Sequence, residues 1–333
     1  MTPAPRVFRS LDEIPPDFGP SALTIGNFDG VHAGHRKILR RVQEIAAARG
    51  LKPSALTFQP HPSKVVAPTR APRLMSTPAQ RAALMGEEGI QQVFIMPFDQ
   101  RVAHLTPEQF VEQVLVRKLD VRAVVLGHDF CFGNKKSGTV RVMRELGVKY
   151  GFSTEEIKPV IVRGRLVSST AVRQLIEAGL VAQAARMLER PYALDGEVVA
   201  GRGVGSKQTV PTLNLATSTE VLPAAGVYVT RTHSPDDGRT WPSITNIGYR
   251  PTFGQSHDLS IETFLLEPLA AEAPRHIRVE FLWHVRDERQ FPDPQALKQQ
   301  ILHDAGVAQS YFRRRTKWTC RSDYPPDFPS NVT

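Results

Sequence analysis

The chain has 333 residues, of which 41% are hydrophobic and 23% charged, and its formal net charge is +9. This length exceeds most single hydrophobic cores and predicts about two globular domains. No run approaches the roughly 18 apolar residues that a membrane-spanning helix requires, and the N-terminus lacks the apolar segment of a secretory signal, so we expect a cytoplasmic protein. Two cysteines without a CxxC pair exclude a disulfide scaffold and a cysteine-rich zinc site.

The positive charge is spread along the chain rather than gathered in one block. A basic protein can bind nucleic acid, an anionic membrane or small anions such as nucleotides. The densest points are residues 36–41, on a predicted helix, and residues 313–317, near the C-terminus. Trp318 beside the second cluster is the one feature typical of nucleic-acid binding, but a solvated tail is the favoured interpretation of that cluster. We expect small-molecule partners and neither nucleic acid nor membrane, and the sequence leaves a homo-oligomer open.

In the first part of the chain, short apolar runs alternate with helical patterns, which predicts a parallel, doubly wound α/β sheet. The predicted strands are Ser21–Ile25, Ser54–Phe58, Gln92–Met96 and Ala123–Leu126. The predicted helices are residues 34–49, which Gly50 ends, a helix after Thr77-Pro78, and Pro107–Leu119.

Around residue 190 the pattern changes to short strands with turn-rich connections. These strands are predicted at Val198–Val199, Gly226–Arg231, Ile261–Leu266 and Ile277–Val285. In the last of them the apolar residues alternate along the whole strand, which is the period of a half-buried strand. One helix, Pro294–Asp304, is predicted to end at Gly306. We expect an antiparallel barrel or sandwich with one helix, followed by a loose tail after about residue 315.

The strongest single motif is Leu23-Thr-Ile-Gly-Asn-Phe-Asp-Gly-Val-His-Ala-Gly-His35. A buried strand ends there at a glycine-punctuated turn, and a helix begins around His32 and His35, whose spacing places both imidazoles on one face. The N-terminus of a helix favours phosphate through its backbone N–H groups and its dipole. Both histidines can donate hydrogen bonds to charge that develops on an α-phosphate and on pyrophosphate, and Gly34 leaves room for a nucleotide.

Three further motifs follow in order: Leu56-Thr-Phe-Gln-Pro-His-Pro62, Leu126-Gly-His-Asp-Phe-Cys-Phe-Gly133 and Val167-Ser-Ser-Thr-Ala-Val-Arg173. His61 and Asp129 each follow a strand, where they can hold a ligand, and the Ser168–Thr170 hydroxyls can cap the next helix and bind phosphate. Arg173 adds a cation. Together the motifs resemble those of the prokaryotic bifunctional riboflavin kinase/FMN adenylyltransferases, whose N-terminal domain is a Rossmann-like HxGH nucleotidyltransferase.

This resemblance implies that the N-terminal domain transfers AMP from ATP to FMN, which yields FAD. His32 and His35 would be catalytic. The remaining residues implied at the adenylyltransferase site are Gly26, Asn27, Phe28, Asp29, His61, Asp129, Ser168, Ser169, Thr170 and Arg173. The family often has a basic residue where this chain has Cys131, for which we expect a buried, unpaired thiol away from the ligand.

A second motif, Gly201-Arg-Gly-Val-Gly-Ser-Lys-Gln-Thr-Val-Pro-Thr-Leu-Asn214, fails both standard phosphate-loop templates, because Ser206 stands where each requires glycine. It resembles the riboflavin kinase motif of the same family, which implies a C-terminal antiparallel β-barrel that phosphorylates riboflavin. Thr212 and Asn214 would then supply oxygen ligands to Mg²⁺ bound with ATP. The other residues implied in binding ATP or flavin are Gly201, Gly203, Gly205, Lys207, Pro211 and Asn246.

Glu262 lies in the apolar run Ser260–Leu266, where an unpaired carboxylate is costly to bury. It is either an outward-facing or ion-paired glutamate or, as the resemblance implies, the general base that takes the proton from the terminal hydroxyl of riboflavin. The predicted domains are residues 1–188, 189–315 and a tail, 316–333.

Alternatives remain open. Ser206, Thr209 and Val210 depart from the family pattern, so the chain could be an FMN adenylyltransferase with a weak or inactive kinase. A different HxGH enzyme, such as a cytidylyltransferase, is disfavoured by the kinase-like second half.

Overall fold

The computed structural model describes residues 4–199, 212–250, 258–269 and 272–319. The chain divides into two compact units. The first comprises Met1–Gln174, Arg186–Glu189 and Thr219–Val221, and the second comprises Leu175–Ala185, Arg190–Ser218 and Leu222–Thr333. The predicted domain limits, residues 1–188, 189–315 and 316–333, stay predictions.

A six-stranded parallel sheet forms the centre of the first unit, in the order β1-β4-β3-β2-β5-β8. The strands of this unit are β1 Arg6–Phe8, β2 Ser21–Ile25, β3 Lys52–Gln59, β4 Gln92–Pro97, β5 Val121–Gly127, β6 Cys131–Phe132, β7 Gly138–Thr139, β8 Ser153–Ile157, β9 Ile161–Val162 and β10 Arg165–Leu166. The pairs β6–β7 and β9–β10 are short antiparallel ribbons outside the sheet.

The helices preceding the second half of the chain are α1 Ala33–Arg49, α2 Pro62–Val66, α3 Pro78–Glu87, α4 Gln100–His104, α5 Pro107–Phe110, α6 Val140–Tyr150, α7 Ser169–Glu177 and α8 Val181–Leu188. Alternate residues of the strands point to opposite faces of the sheet. On one face Ala55 and Val93 pack with α1 and α3, and on the other Leu56 and Phe94 pack with α5 and α6. Two covered faces of a parallel sheet confirm the predicted Rossmann-like architecture.

Helix α1 matches its predicted limits closely, because both of its ends carry a cap in the sequence. His32 is the N-cap, and its side chain accepts a hydrogen bond from the backbone N–H of His35. Gly50 adopts the left-handed conformation, with φ 64°, and its N–H bonds to the carbonyl of Ala46. The predicted helix Pro107–Leu119 is less regular, since α5 continues as a π-helix over Val111–Val116.

A closed barrel of six antiparallel strands forms the second unit, in the order β11-β12-β15-β14-β13-β16. The strands are β11 Tyr192–Val199, β12 Thr212–Ala216, β13 Gly226–His233, β14 Thr240–Arg250, β15 Asp258–Leu265 and β16 His276–Asp287. A closed antiparallel barrel confirms the predicted fold class of this half. One set of alternating residues faces the interior, where the buried hydroxyls of Thr230, Ser243 and Thr245 bond to one another.

The predicted alternation along β16 breaks in the middle of the strand. Ile277, Val279 and Phe281 are buried, but Trp283 is 40% exposed. Leu282 is also buried, in the cluster that covers the outer face of the barrel. The pairing of β16 with β13 shifts register between the partners of Phe281 and Trp283. The irregularity inserts a residue and exchanges the two faces, so the expected alternation through Val285 is wrong.

The C-terminal helix is longer than predicted. Helix α9 runs from Pro294 to Thr319, through Gly306 and into the predicted tail. A glycine inside a helix costs about 1 kcal/mol relative to alanine, but Ala308 is fully buried against the outer face of the barrel. Arg286 of β16 also pairs with the buried Asp304 at 2.9 Å. These contacts outweigh the propensity of Gly306, and the predicted stop is wrong.

Within the described ranges, none of the helices is sufficiently long and apolar to cross a membrane.

Candidate active sites

The loop between β2 and α1 is strained and buried. Phe28 and Val31 adopt positive φ values of 49° and 39°, a conformation that a non-glycine residue adopts at a cost of about 1–3 kcal/mol. Both side chains are only 1% exposed, so packing holds them in place. The loop therefore has a fixed shape as it enters α1.

His32 and His35 lie side by side at the start of α1, as their spacing predicts. Their rings stack with centroids 3.7 Å apart and planes 14° apart, and the ring of Phe28 meets His35 edge-on at 5.1 Å. Nδ1 of His32 accepts the His35 backbone N–H at 3.3 Å. The proton of a neutral His32 ring is therefore on Nε2, the atom from which it can donate to an anion.

Asp29 is 1% exposed, and both oxygens of its carboxylate contact groups of the protein. Its Oδ1 accepts the backbone N–H groups of Met75 at 3.0 Å and Ser76 at 3.1 Å, and the Ser76 hydroxyl at 3.0 Å. Its Oδ2 pairs with Arg173 at 3.3 Å. Asp29 thus ties the loop before α1 to residues 75–76 and to α7, and we interpret it as an organiser of the site.

The start of α7 is close to the same loop. Ser168 Oγ accepts the backbone N–H of Ala171 at 3.2 Å, so it caps the helix as predicted. The Ser169 hydroxyl donates to the backbone carbonyl of Asp29 at 3.1 Å, and Thr170 is exposed. Of the three predicted hydroxyls, Ser168 and Ser169 have structural partners, and Thr170 lies at the surface.

His61 and Asp129 reach this edge of the sheet from neighbouring strands. They follow β3 and β5, the strands on either side of β2, and the carboxyl ends of parallel strands share one edge. His61 is 7% exposed, and its Nδ1 accepts the Ser63 N–H at 3.2 Å to cap α2. Asp129 is exposed.

The pKa of His61 is held below its ordinary value. Burial is the largest cause, the charges of Arg173, Arg81 and Lys64 act in the same direction, and Asp29 opposes them. His61 is therefore neutral at pH 7, and its proton is on Nε2, because Nδ1 is an acceptor.

A cavity of about 570 Å³ opens between α2, α4 and the β6–β7 ribbon. Ligand pockets typically measure about 300–1,000 Å³ and are mostly apolar. This cavity, which we call the aromatic cavity, is lined by the aromatic residues Phe58, Phe98, Phe110, Phe130 and Phe132, together with Pro62, Val66, Cys131, Lys135, Lys136 and others. The rings of Phe130 and Phe132 lie 5.6 Å apart and nearly parallel. A planar aromatic ligand with an anionic group fits this combination of rings and lysines.

The expectation of a buried thiol at Cys131 is wrong. Cys131 is exposed and free, and it lines the aromatic cavity. It stands in β6, a two-residue strand in which Phe132 faces the core and its neighbour necessarily faces outward.

Three kinase candidates form a row across the barrel. In register, Glu262 of β15 pairs with Asn214 of β12 on one side and with Asn246 of β14 on the other. Side chains directly opposite in antiparallel strands have Cβ atoms about 4.5–5.5 Å apart. Thr212 lies two residues before Asn214 and therefore on the same face.

The row lies on the outer face of the barrel, and Glu262 is half-buried between the two asparagines. The buried residues Ile261, Thr263 and Leu265 face the interior instead. Glu262 thus lies on the outward side of its strand, because only the alternate residues of β15 are buried. A carboxylate between two amides and next to a threonine can accept a proton, and the neighbouring side-chain oxygens suit a hard cation.

Comparison with known proteins identifies the family of each half of the chain. The FAD synthetase family matches residues 15–171, and the riboflavin kinase family matches residues 188–312. The bifunctional riboflavin kinase/FMN adenylyltransferase of Pseudomonas fluorescens is 34% identical over 305 residues, which are 92% of this chain and 97% of that protein. The enzyme of the same name from Escherichia coli K12 is 34% identical over 87% of this chain and 92% of its own. The chain belongs to the bifunctional riboflavin kinase/FMN adenylyltransferase family.

A solved structure shares the fold of the whole chain. The crystal structure of the macrolide-efflux protein from Streptococcus pneumoniae aligns with a TM-score of 0.80 at 24% identity, over 92% of this chain and 99% of that one. At this identity the likeness shows the fold alone.

The structure brings together most of the candidates of this family. Gly26, Asn27 and the HxGH residues lie in one loop, His61, Asp129 and Arg173 are near the same edge, and the kinase row is contiguous. The remaining kinase candidates lie outside the described residues: Gly201, Gly203, Gly205, Lys207 and Pro211.

Arg81 contacts the loop of the adenylyltransferase candidates, and the sequence reasoning missed it. It is 1% exposed, and its guanidinium donates to the carbonyl of Asn27 at 2.7 Å and to the Thr57 hydroxyl at 3.2 Å. Burial lowers its pKa, against the charge of Asp29. An arginine on the buried face of α3, in line with Ala82 and Met85, is the signal that could have indicated it.

Proposed function

We propose that this chain phosphorylates riboflavin to FMN at the barrel and adenylylates FMN to FAD at the HxGH site, with release of pyrophosphate. The observation that carries the proposal is the pairing, in a single chain, of the stacked His32–His35 rings with the Asn214–Glu262–Asn246 row. Membership of the family supports both reactions.

In the adenylyl transfer, a phosphate oxygen of FMN attacks the α-phosphorus of ATP, and the bond from that phosphorus to the pyrophosphate oxygen breaks. Negative charge grows on the α-phosphate and on the leaving group. His32 and His35 donate hydrogen bonds to this charge from the dipole end of α1, and no covalent intermediate with the protein is needed.

The aromatic cavity is the proposed place of the flavin ring. Its paired phenylalanines offer stacking surfaces for the planar isoalloxazine, and Lys135 and Lys136 at its rim offer charge for the phosphate. His61 stands at the start of α2, whose Pro62 lines the cavity, so the flavin lies beside the HxGH edge.

In the kinase reaction, the terminal hydroxyl of riboflavin attacks the γ-phosphorus of ATP, Glu262 accepts the hydroxyl proton, and the bond to ADP breaks. Thr212 and Asn214 present neutral oxygens beside the Glu262 carboxylate, a donor set that suits Mg²⁺. When bound, Mg²⁺ would offset the charge of the phosphates. Asn246 orients the carboxylate from the opposite side.

A chain with only the adenylyltransferase active is the alternative, because Ser206, Thr209 and Val210 depart from the family pattern. These residues lie outside the described part of the chain. The substrates and products, and the absence of a membrane-spanning helix in the described ranges, are consistent with a cytoplasmic enzyme.

The test is a chromatographic assay of the purified chain with riboflavin, ATP and Mg²⁺. Appearance of FMN and then FAD supports both reactions. FAD that forms only from added FMN supports the alternative, and no product from either flavin refutes the proposal.

A further inference from the structure

Three residues that follow β12 in the chain belong to the first compact unit. We call Thr219–Val221 the clip. The carboxylate of Glu220 accepts the backbone N–H of Leu74 at 2.7 Å and pairs with Lys64 at 2.6 Å. The next residue, Val221, is fully buried, and its N–H donates to the carbonyl of Leu74 at 3.2 Å. The clip therefore holds both backbone polar groups of Leu74.

Leu74 immediately precedes the residues that organise the HxGH loop. The N–H groups of Met75 and Ser76 bond to Asp29, and the Ser76 hydroxyl accepts the N–H of Gly30 at 3.1 Å while donating to Asp29. The contacts thus run without interruption from Glu220, through residues 74–76, to the loop that ends at His32.

The loop needs this support because its backbone is strained at Phe28 and Val31, and strained residues persist only where the surrounding structure determines them. Glu220 is suited to the task. Although burial acts in the opposite direction, hydrogen bonds from Lys64 and Leu74 hold the pKa of Glu220 below its ordinary value, so the carboxylate is charged at neutral pH.

We propose that Glu220 is a positioning residue for adenylyl transfer, which fixes His32 through Leu74 and the hydrogen bonds of Asp29. The sequence places Glu220 in the half of the chain that resembles riboflavin kinase, and nothing in its local pattern points to the other reaction. This inference rests on the adenylyltransferase activity proposed above.

The experiment compares Glu220→Ala and Glu220→Gln in the full chain, with FAD formation from FMN and FMN formation from riboflavin measured separately. Loss of the Leu74 contact should displace the loop by roughly half an ångström, and a misplacement of about 1 Å can cost about 10²-fold in rate. We expect Glu220→Ala to lower kcat for FAD formation about 5- to 30-fold, with less than about a threefold change in KM. Glutamine can still accept the Leu74 N–H, so Glu220→Gln should restore kcat to within about threefold.

Glu267→Ala, at an exposed glutamate of the second unit, is the matched control and should leave both activities unchanged. In Glu220→Asp the carboxylate is held back by one methylene group, so we expect an intermediate loss of FAD formation. This variant replaces Glu220→Ala if the alanine variant does not fold. Unchanged FAD formation in Glu220→Ala or Glu220→Asp, an equal loss of both activities, or no recovery in folded Glu220→Gln would overturn the inference. Absence of FAD formation in the unaltered chain would instead refute the proposed function.

Discussion

Gly34 offers the sharpest test of the histidine geometry. A Cβ added at residue 34 would lie 3.2 Å from both Cε1 and Nδ1 of the His32 ring. That ring cannot simply retreat, because it stacks on His35 at 3.7 Å and its Nδ1 holds the His35 N–H. Gly34→Ala should therefore displace the His32 ring by a few tenths of an ångström. On the scale of about 10²-fold in rate per ångström, kcat for FAD formation should fall about 3- to 10-fold.

The same substitution should change the stability of the protein little. Residue 34 is in the first turn of α1 and its φ is not positive, so alanine favours the helix by up to about 1 kcal/mol, and the displaced His32 ring offsets this gain. Urea unfolding of both proteins checks this, and FMN formation serves as the internal control. A variant that is as stable as the unaltered chain and yet slower in FAD formation alone would be difficult to explain by damage to the fold.

A double-mutant cycle separates two explanations of the slower rate. If the new methyl group acts through the His32 ring, Gly34→Ala should cost almost nothing further in a His32→Ala background. A loss that persists in full there means that the methyl group obstructs the nucleotide directly. Unchanged FAD formation in the single variant would refute the ring geometry itself.

Three further expectations follow from the two sites. His32→Ala should lower FAD formation about 10²- to 10³-fold, the scale for one transition-state donor, and leave FMN formation intact in the two-product assay. Glu262→Gln should lower FMN formation about 10²- to 10⁴-fold and spare FAD formation from added FMN; equal losses of both activities in either variant would contradict two separate sites. His61 is neutral in the folded chain, whereas the unfolded chain takes up its proton near pH 6.5. Its contribution to stability is therefore present above about pH 6.5 and is lost as the pH falls towards the folded pKa. Urea unfolding at pH 7.5 and 5.5 should show a smaller acid loss in His61→Gln than in the unaltered chain, and equal losses would refute this assignment.

The regular elements of the first unit could be predicted from the sequence because their determinants are local. The apolar period of α1, its start near His32 and its stop at Gly50 are all readable within about 20 residues. Strands β2 to β5 are short apolar runs between such helices, and that alternation alone favours a parallel sheet.

The errors arose where distant contacts override local preference. Nothing near Gly306 indicates that Ala308 and Asp304 pack against the barrel, so a local stop signal lost to tertiary packing. The faces of β16 exchange because of its pairing with β13, which no single strand encodes.

The candidate adenylyltransferase site also combines features that the local sequence predicts with features that distant contacts create. Residues 26–35 form one contiguous motif whose chemistry follows from its order, and the placement of the two histidines was predicted correctly. Two of the groups that hold this motif are backbone N–H groups, at Met75 and Ser76, and a backbone donor has no side-chain signature in a sequence. The aromatic cavity is similar, since its five phenylalanines come from four separate segments of the chain.

Asp29 then presents a problem, because an anionic side chain beside a phosphate site should repel the substrate. Its surroundings resolve the problem. Two backbone N–H groups, a hydroxyl and Arg173 surround the carboxylate, and the buried Arg81 lies close enough for its charge to act on both Asp29 and His61. Together with the N-terminal end of the α1 dipole, these cations leave an excess of positive potential at the edge of the sheet. Asp29 can thus fix a strained loop while its charge is offset by its own partners, and for this reason we interpret it as an organiser of the loop.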